Sequence, residues 1–558
     1  MAANPITAYK HRSVEHQVMA ASSQQQNDSG DACSMAESAG GSVLRSEGEP
    51  KRVKACAASQ TRKADSPLAA KRPVVLITSH TLMGHLSPML RIASKLVERG
   101  WVVAFLGPTA HKARIESSGA KFIPLQGAAD LFDKEYYAKP PTPGYAGLHW
   151  SWRVCEDIRH QLIEPLPTAW DCFKVALSEV QQDGSESHHG LGNEVILLTE
   201  AFSWGVLPMF YGAALPEGVR APLGSVCISV TVPAIRSADL PPMGYPFPYD
   251  PSPAGRALNQ RLWAKSWTRR AEPLTTLLDE KLLEAGATRC CTEHERPLLS
   301  GANYLVHDAI LQLGVPGLDY PRSDWPPHFR FIGLAQGGSL SNNKSLEEVD
   351  FPWWDEILAN SSRPAGSALR KKVLVVAQGT VEINPHDLII PTLQAYAGCE
   401  DKVLVVAILG WKDATLDDYL RHFPGNSLPG NARVADFLNY DTVLQHADVW
   451  IHNAGFGALC HGIANGVPMV CAGEGMDKVD NSRRVAWAGA GVDVGTQTPN
   501  ADMVRAAVDR ILSDEEGPRF KAKIANLQQQ SKALGCIDAV ESELLKLARD
   551  ETGPRRGI

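Results

Sequence analysis

The pattern of apolar and polar positions changes texture at Pro73. Residues 1–72 are rich in Ser, Gln, Ala and Gly, carry no periodic apolar pattern, and close with the basic stretch KRVKACAASQTRKADSPLAAKR. That composition cannot build a core and predicts a disordered tail. From Pro73 on, short apolar runs of strand type alternate with segments whose apolar residues recur at helical spacing: VVLITS, PMLRIASKLVERG, WVVAFLGP, HKARIESSG and KFIPL. This βαβαβ order predicts an open parallel sheet covered by helices on both faces. The pattern loosens through 140–330, where Trp, Tyr, Pro and Met gather in HWSWRVCEDIRH, WGVLPMFYGAALPEG and DLPPMGYPFPYDPSP, as expected of insertions that shape an apolar pocket. The polar, turn-rich stretch 336–370 reads as a linker. A second α/β series starts at Lys371 with KKVLVVAQGT, runs through KVLVVAIL, DTVLQHADVWIHNAG and VPMVCAG, and ends in helical sequence after Ala501. The expected architecture is α/β: Rossmann-like domains over 73–335 and 371–548, and a short tail over 549–558.

Composition narrows the function classes. At 558 residues the chain is too long for one core, and 44% apolar with 21% charged residues is an ordinary globular balance. A net charge of −7 gives no electrostatic reason to expect a nucleic acid partner. The 11 cysteines are scattered singly apart from Cys290 and Cys291, with no zinc-type spacing, which suggests reduced thiols in a cytoplasmic protein. No run approaches the roughly 18 apolar residues of a transmembrane segment, and the start MAANPITAYKHRSVEHQ lacks a signal-peptide apolar region. The basic stretch before Pro73 reads as an address, a membrane-surface patch or a solvated tail.

Candidate chemistry lies in the turns that follow strands. SHTLMGHLSP places His80 and His85 between the first strand and the first helix, at the edge where open sheets hold ligands. Ser87 as N-cap and Pro88 as first helical residue predict a helix starting just after His85. The positive helix end would then keep the His85 ring neutral and able to accept a proton, making it a candidate general base; the alternative is a structural or exposed histidine. In the second half, AQGT offers Gly379 for close approach and the Thr380 hydroxyl as donor. HNAGFGALCHGIANG sets Gly455 and Gly457 before a helix expected near Ala458, whose free N–H groups suit an anion. Either loop alone could simply pack helix on strand. Together, opposite a histidine-bearing turn, they suggest a phosphate-bearing donor held across a cleft.

The GHLSP turn, the DYPRSDWPPHFRFIG segment, the AQGT loop and the block ADVWIHNAGFGALCHGIANGVPMVCAGEGMDKVDNSRRVAWAGAGVDV follow one another over 73–548. In that order they resemble the UDP-glycosyltransferase family, in a microbial or fungal-like version. The resemblance implies two facing Rossmann-like domains (GT-B), the first for an acceptor and the second for a nucleotide sugar, with the last helix crossing back to the first. It implies an inverting, metal-independent transfer in which His85 takes the acceptor's proton and the diphosphate leaves into the helix-start pocket. Glu200, in VILLTEAFSWG, falls where the family usually has an Asp that orients the base; a surface carboxylate is the alternative. Asn453 falls on the diphosphate-binding His, Ala458 on a Ser, and His461 on the ribose-binding Glu of plant relatives. Asp477 and Lys478, with Asn481 shortly after, fall on the pair that touches the sugar hydroxyls. Phe437 lies near the ring that stacks on uracil, or is a core aromatic at a helix start. The implied co-substrate is UDP-glucose, with no cofactor and no metal. The implied acceptor is a small apolar alcohol, a lipid, sterol, terpenoid or polyketide, lined by residues among Trp150, Trp152, Phe202, Trp204, Met209, Phe210 and Trp263.

Three other readings compete. A nicotinamide-dependent oxidoreductase would need GxGxxG where the chain has GHLSP. An epimerase or phosphorylase of the same two-lobed fold is set against GHLSP and DYPRSD. A non-catalytic descendant that binds a nucleotide sugar or an apolar ligand draws support from Asn453, Ala458 and Glu200.

Overall fold

The strand-type apolar runs become strands, and those inside the sheets are buried on both faces. The computed structural model describes residues 72–131, 150–186, 194–245, 247–291, 298–335, 351–379, 382 and 384–549. Apart from Arg72 and Arg549, both expected tails lie outside the described residues, as does the first part of the expected linker. The first lobe runs β1 (Val74–Thr78), α1 (Met83–Glu98), β2 (Val103–Gly107), α2 (Lys112–Ser117), β3 (Lys121–Pro124), α3 (Trp150–Ile158), α4 (Leu166–Glu186), β4 (Val195–Glu200), β5 (Ser225–Ser229), α5 (Pro253–Ser266), α6 (Glu272–Glu284), β6 (Ala309–Gln312) and β7 (Phe329–Phe331). The strands form a parallel sheet in the order β3-β2-β1-β4-β5-β6-β7. Leu76 of β1 stands between Ala104 and Leu197, and Val75, Leu76 and Ile77 are fully buried.

Helix α1 shows why its sequence is helical: Leu86, Met89, Ile92, Ala93 and Leu96 recur every three or four residues and are all buried against the sheet. Burying each of the large ones contributes roughly 1.5–3 kcal/mol. Gly100, at φ +80°, accepts the left-handed conformation that ends the helix. The helix starts earlier than Ser87 and Pro88 predict. Its N-cap is Leu82, whose carbonyl accepts from the N–H groups of His85 and Leu86 at 2.9 Å each. Pro88 therefore sits inside the helix, where the hydrogen bond it lacks is to exposed Gly84. The region whose pattern loosens is not irregular throughout. α3 and α4 are linked through a π-helical turn, Arg159–Ile163, that shifts the phase of the buried face, so no single 3.6-residue period spans the stretch.

The second lobe runs α7 (Trp354–Ser361), β8 (Lys372–Ala377), α8 (Ile389–Ala395), β9 (Val403–Ile408), β10 (Ala432–Ala435), α9 (Tyr440–Leu444), β11 (Val449–His452), α10 (Phe456–Asn465), β12 (Met469–Cys471), α11 (Lys478–Ala488), β13 (Gly491–Asp493), α12 (Ala501–Leu512), α13 (Gly517–Leu534) and α14 (Cys536–Arg549). Its parallel sheet has the order β10-β9-β8-β11-β12-β13, repeating the first six strands of the other lobe. Helix α7 lies within the stretch read as linker and is fastened to the second sheet: Ile357 is fully buried, and the Asn360 amide exchanges bonds with the Lys371 backbone at 2.9 and 2.8 Å.

Both sheets belong to one compact unit. Helix α14 returns to the first lobe. Arg99 pairs with Asp538 at 2.6 Å and Glu541 at 2.7 Å, Trp101 donates to Glu541 at 2.9 Å, and Val540 and Leu544 are fully buried. Other links between the lobes are Arg91 to Asp441 at 3.1 Å, buried Arg484 to Asp319 at 2.8 Å, and the Gly244 N–H to Asp480 at 2.9 Å. Among the described residues, no helix is long and apolar enough to cross a membrane.

Candidate active site

In each sheet the strand order reverses once, between β1 and β4 and between β8 and β11. Connections leave in opposite directions at such a point and open a crevice at the carboxyl ends of the strands. The singled-out histidine turn follows β1 and the two glycine loops follow β8 and β11, so all three stand at these crevices.

In the first lobe, Glu200 ends β4 and is fully buried. Its Oε1 lies 3.0 Å from His85 Nδ1, and its Oε2 accepts the His80 backbone N–H at 3.3 Å. Glu200 is thus no surface carboxylate. The early start of α1 places His85 in the first helical turn, and the Leu82 N–H is held by His80 Nδ1 at 3.2 Å, which fixes the turn. A carboxylate beside Nδ1 keeps the proton there and leaves the Nε2 lone pair open. Burial works against the His85 imidazolium, but the charge and hydrogen bond of Glu200, with the charge of Asp477 added, outweigh it and raise its pKa above the ordinary value. The direction is opposite to the lowering expected from the helix end: a buried carboxylate in contact is a stronger field than a helix terminus. Burial and the neighbouring His85 hold His80 well below the ordinary range. Phe202 meets His85 edge-on at 5.3 Å. Of the other aromatic and Met candidates, Trp204, Met209, Phe210 and Trp263 are buried core. The side chains of Trp150 and Trp152 lie outside the described residues.

In the second lobe, Gln378 anchors the loop after β8: its amide donates to the carbonyls of Glu382 and Asn384 at 3.1 and 2.8 Å and accepts from the Ile389 N–H at 3.2 Å. Gly379, at φ +79°, takes the left-handed backbone that favours glycine, and no described atom lies within 4 Å of where a Cβ would stand. Thr380 lies outside the described residues. After β11, Asn453 is buried and donates to the Gln378 carbonyl and, at 3.4 Å, to Glu382 Oε2. Ala454 is held at φ +60° by the bonds of its N–H to His452 Nδ1 at 3.0 Å and of its carbonyl to Asn481 at 2.8 Å. A non-glycine residue there stores about 1–2 kcal/mol of strain, as at many ligand sites. Gly455 is the N-cap, so α10 begins at Phe456 rather than near Ala458, and the Ala458 N–H is bonded to the Gly455 carbonyl at 2.9 Å. The early N–H groups at Phe456 and Gly457 stay outside the helical ladder and suit an anion.

Asp477 is the N-cap of α11, and among the described residues its buried Oδ2 has no hydrogen-bond partner. Burial raises its carboxyl pKa, against the pull of Asn481 and of His85 in the opposite lobe. Lys478 is buried with its ammonium in contact with Glu382 Oε2. Burial pushes the Lys478 ammonium down to about 7, and the carboxylate in contact with it is that of Glu382. Phe437 follows β10 and is 49% exposed, which removes the reading as a core aromatic. His461 Nδ1 lies 2.7 Å from Asp441, which also takes the inter-lobe bond from Arg91. Glu382 and the Asp441 hub escaped the sequence reading; the sole signal was an acid three positions beyond Gly379.

The arrangement sets a carboxylate-bound histidine in one crevice, helix-start N–H groups in the other, and the buried Asp477 carboxylate within electrostatic reach of His85. Residues 414–546 match the family model described as Erythromycin biosynthesis protein CIII-like, C-terminal domain. The chain is 32% identical over 471 residues to UDP-glucosyltransferase 1 of Beauveria bassiana (strain ARSEF 2860), covering 83% of this chain and 93% of that relative. It is 30% identical over 490 residues to UDP-glucosyltransferase B1 of Starmerella bombicola, covering 86% of this chain and 100% of the relative. The solved structure of the glycotransferase of kitacinnamycin matches 86% of this chain and 99% of its own at a TM-score of 0.57 and 19% identity, a likeness of fold alone.

Proposed function

The chain belongs to the UDP-glycosyltransferase family and is a glycosyltransferase, and on that premise we propose that it transfers a hexose, glucose from UDP-glucose, to a hydroxyl of a small apolar acceptor, inverting the anomeric centre without a metal. The observation that carries this reading is the 3.0 Å contact of His85 Nδ1 with buried Glu200 at the first crevice. In the proposed step His85 Nε2 takes the acceptor's hydroxyl proton as that oxygen forms a bond to the sugar's C1. The C1–oxygen bond to the diphosphate breaks on the opposite face, and UDP leaves with the electron pair. The resulting imidazolium is stabilised by Glu200. The N–H groups at the start of α10 receive the diphosphate, Asp477 Oδ2 accepts from a sugar hydroxyl, and exposed Phe437 stacks on the base. The names of the two relatives support UDP-glucose as donor. Phe202 on the edge of the His85 ring supports an apolar acceptor.

The test begins with thermal unfolding of the purified chain in UDP, GDP, dTDP and NAD. A ligand at about 100 times its Kd adds roughly 2.7 kcal/mol, and that rise is expected with UDP. Incubation with UDP-glucose and a panel of apolar alcohols should then yield β-glucosides by NMR at a rate unchanged by a chelator. An α-glucoside would overturn inversion, and chelator sensitivity would overturn metal independence. A folded chain that answers to no nucleotide is a non-catalytic descendant.

A further inference from the structure

The donor cradle contains a charge problem and, beside it, the group that answers it. UDP brings a diphosphate of two or more negative charges, whereas Asn453 at the end of β11 is neutral and the free N–H groups of α10 carry only a partial charge. The described cation that reaches Asn453's surroundings is Lys478. Glu382 Oε2 receives the Asn453 amide at 3.4 Å and touches the Lys478 ammonium, so one carboxylate oxygen joins the segments that follow β8, β11 and β12. The Glu382 carboxylate also lies against Gly475, where a Cβ would come within 2.5 Å of its Oε1. Lys478 and Asn453 are 6% and 8% exposed, whereas the Glu382 side chain is 23% exposed and has a path to water.

We propose that Lys478 is the cation that binds the donor's diphosphate, and that the Glu382 carboxylate holds the phosphate's place until the donor displaces it. The inference rests on the UDP-dependent reading above. Both ligands are anionic oxygens that accept charge-assisted hydrogen bonds, so exchanging one for the other never leaves Lys478 buried and unpaired. Glu382 exchanges its two partners for water at the surface. Donor binding is therefore a competition inside the protein, and affinity for UDP is set partly by how well Glu382 resists.

The experiment is isothermal titration of the full chain with uridine, UDP and UDP-glucose at pH 6.5, using wild type, Glu382→Gln, Lys478→Met and the double variant, with Lys478→Arg as the conservative control. Lys478→Met should weaken UDP at least tenfold and leave uridine within twofold, and Lys478→Arg should restore most of the loss. Glu382→Gln should tighten UDP several-fold, and the gain should vanish when Lys478 is Met. If Lys478→Met leaves UDP within twofold and weakens only UDP-glucose, Lys478 belongs to the sugar and the proposal fails. If Glu382→Gln weakens UDP, Glu382 positions the lysine rather than competing, and the proposal fails. Should Lys478→Met not fold, the response of Glu382→Gln decides alone. A wild-type chain blind to UDP overturns the functional reading itself, whereas one that binds UDP without regard to Lys478 overturns only this inference.

Discussion

The two lobes repeat one strand order and put their active groups at the same topological point, yet they equip it differently. The first lobe concentrates charge in side chains: a buried carboxylate, a histidine raised by it and an aromatic ring on the edge of that histidine. The second presents backbone N–H groups, a neutral Asn and a lysine whose pKa is lowered by burial. In the proposed mechanism the fold provides a place where ligands converge, and the residues after each strand decide whether that place moves a proton or holds an anion.

The comparison breaks most sharply if the lobes are silenced separately. His85→Ala should lower kcat about 10²- to 10⁴-fold and leave the Kd for UDP unchanged, as stopped-flow transfer and titration would measure. A parallel loss of UDP binding would mean that the lobes do not divide the work. Glu200→Gln should lower kcat by roughly two orders of magnitude, because the imidazolium loses its carboxylate and the ring its fixed tautomer. It should also move the acid limb of the pH–rate profile. His85 is raised in the native chain, so activity falls as pH drops through a value above 6.5; without Glu200 that fall shifts to lower pH. The same pair contributes stability that is full below the unfolded histidine's pKa and disappears as pH rises through the folded one. The difference in midpoint between wild type and Glu200→Gln should therefore narrow in alkali. The smallest effect belongs to the second lobe: Phe437→Ala should weaken UDP by about 1 kcal/mol, roughly fivefold, with kcat at saturating donor unchanged.

Much of this was legible where a local pattern coincides with the tertiary result. The apolar runs became the strands, and His85, Gly379 and the pair Gly455 and Gly457 all stand at crevices because such turns have nowhere else to lie in a parallel sheet. What escaped depends on partners distant along the chain. Helix α1 starts early, with the His80 ring accepting from the N–H of its N-cap Leu82, a contact that no capping rule contains. The upward pKa shift of His85 follows Glu200, 115 residues away, rather than the helix it begins. Glu382 sits in an unremarkable loop, and only the fold brings it to Lys478, 96 residues on. In the aromatic-rich insertions, burial separates Phe202, beside the histidine, from Trp204, Met209 and Phe210 in the core.

Helix α14 carries a consequence for biosynthesis. Val540 and Leu544 complete the core that holds Val75, Ile77 and Leu86, and Glu541 is the partner of Arg99 and Trp101. The lobe translated first therefore leaves the ribosome with part of its apolar face uncovered, and must wait for the second lobe to be synthesised before residues 536–549 can seal it. During that interval the first lobe carries uncovered apolar surface, the kind that exposes a partly folded chain to aggregation.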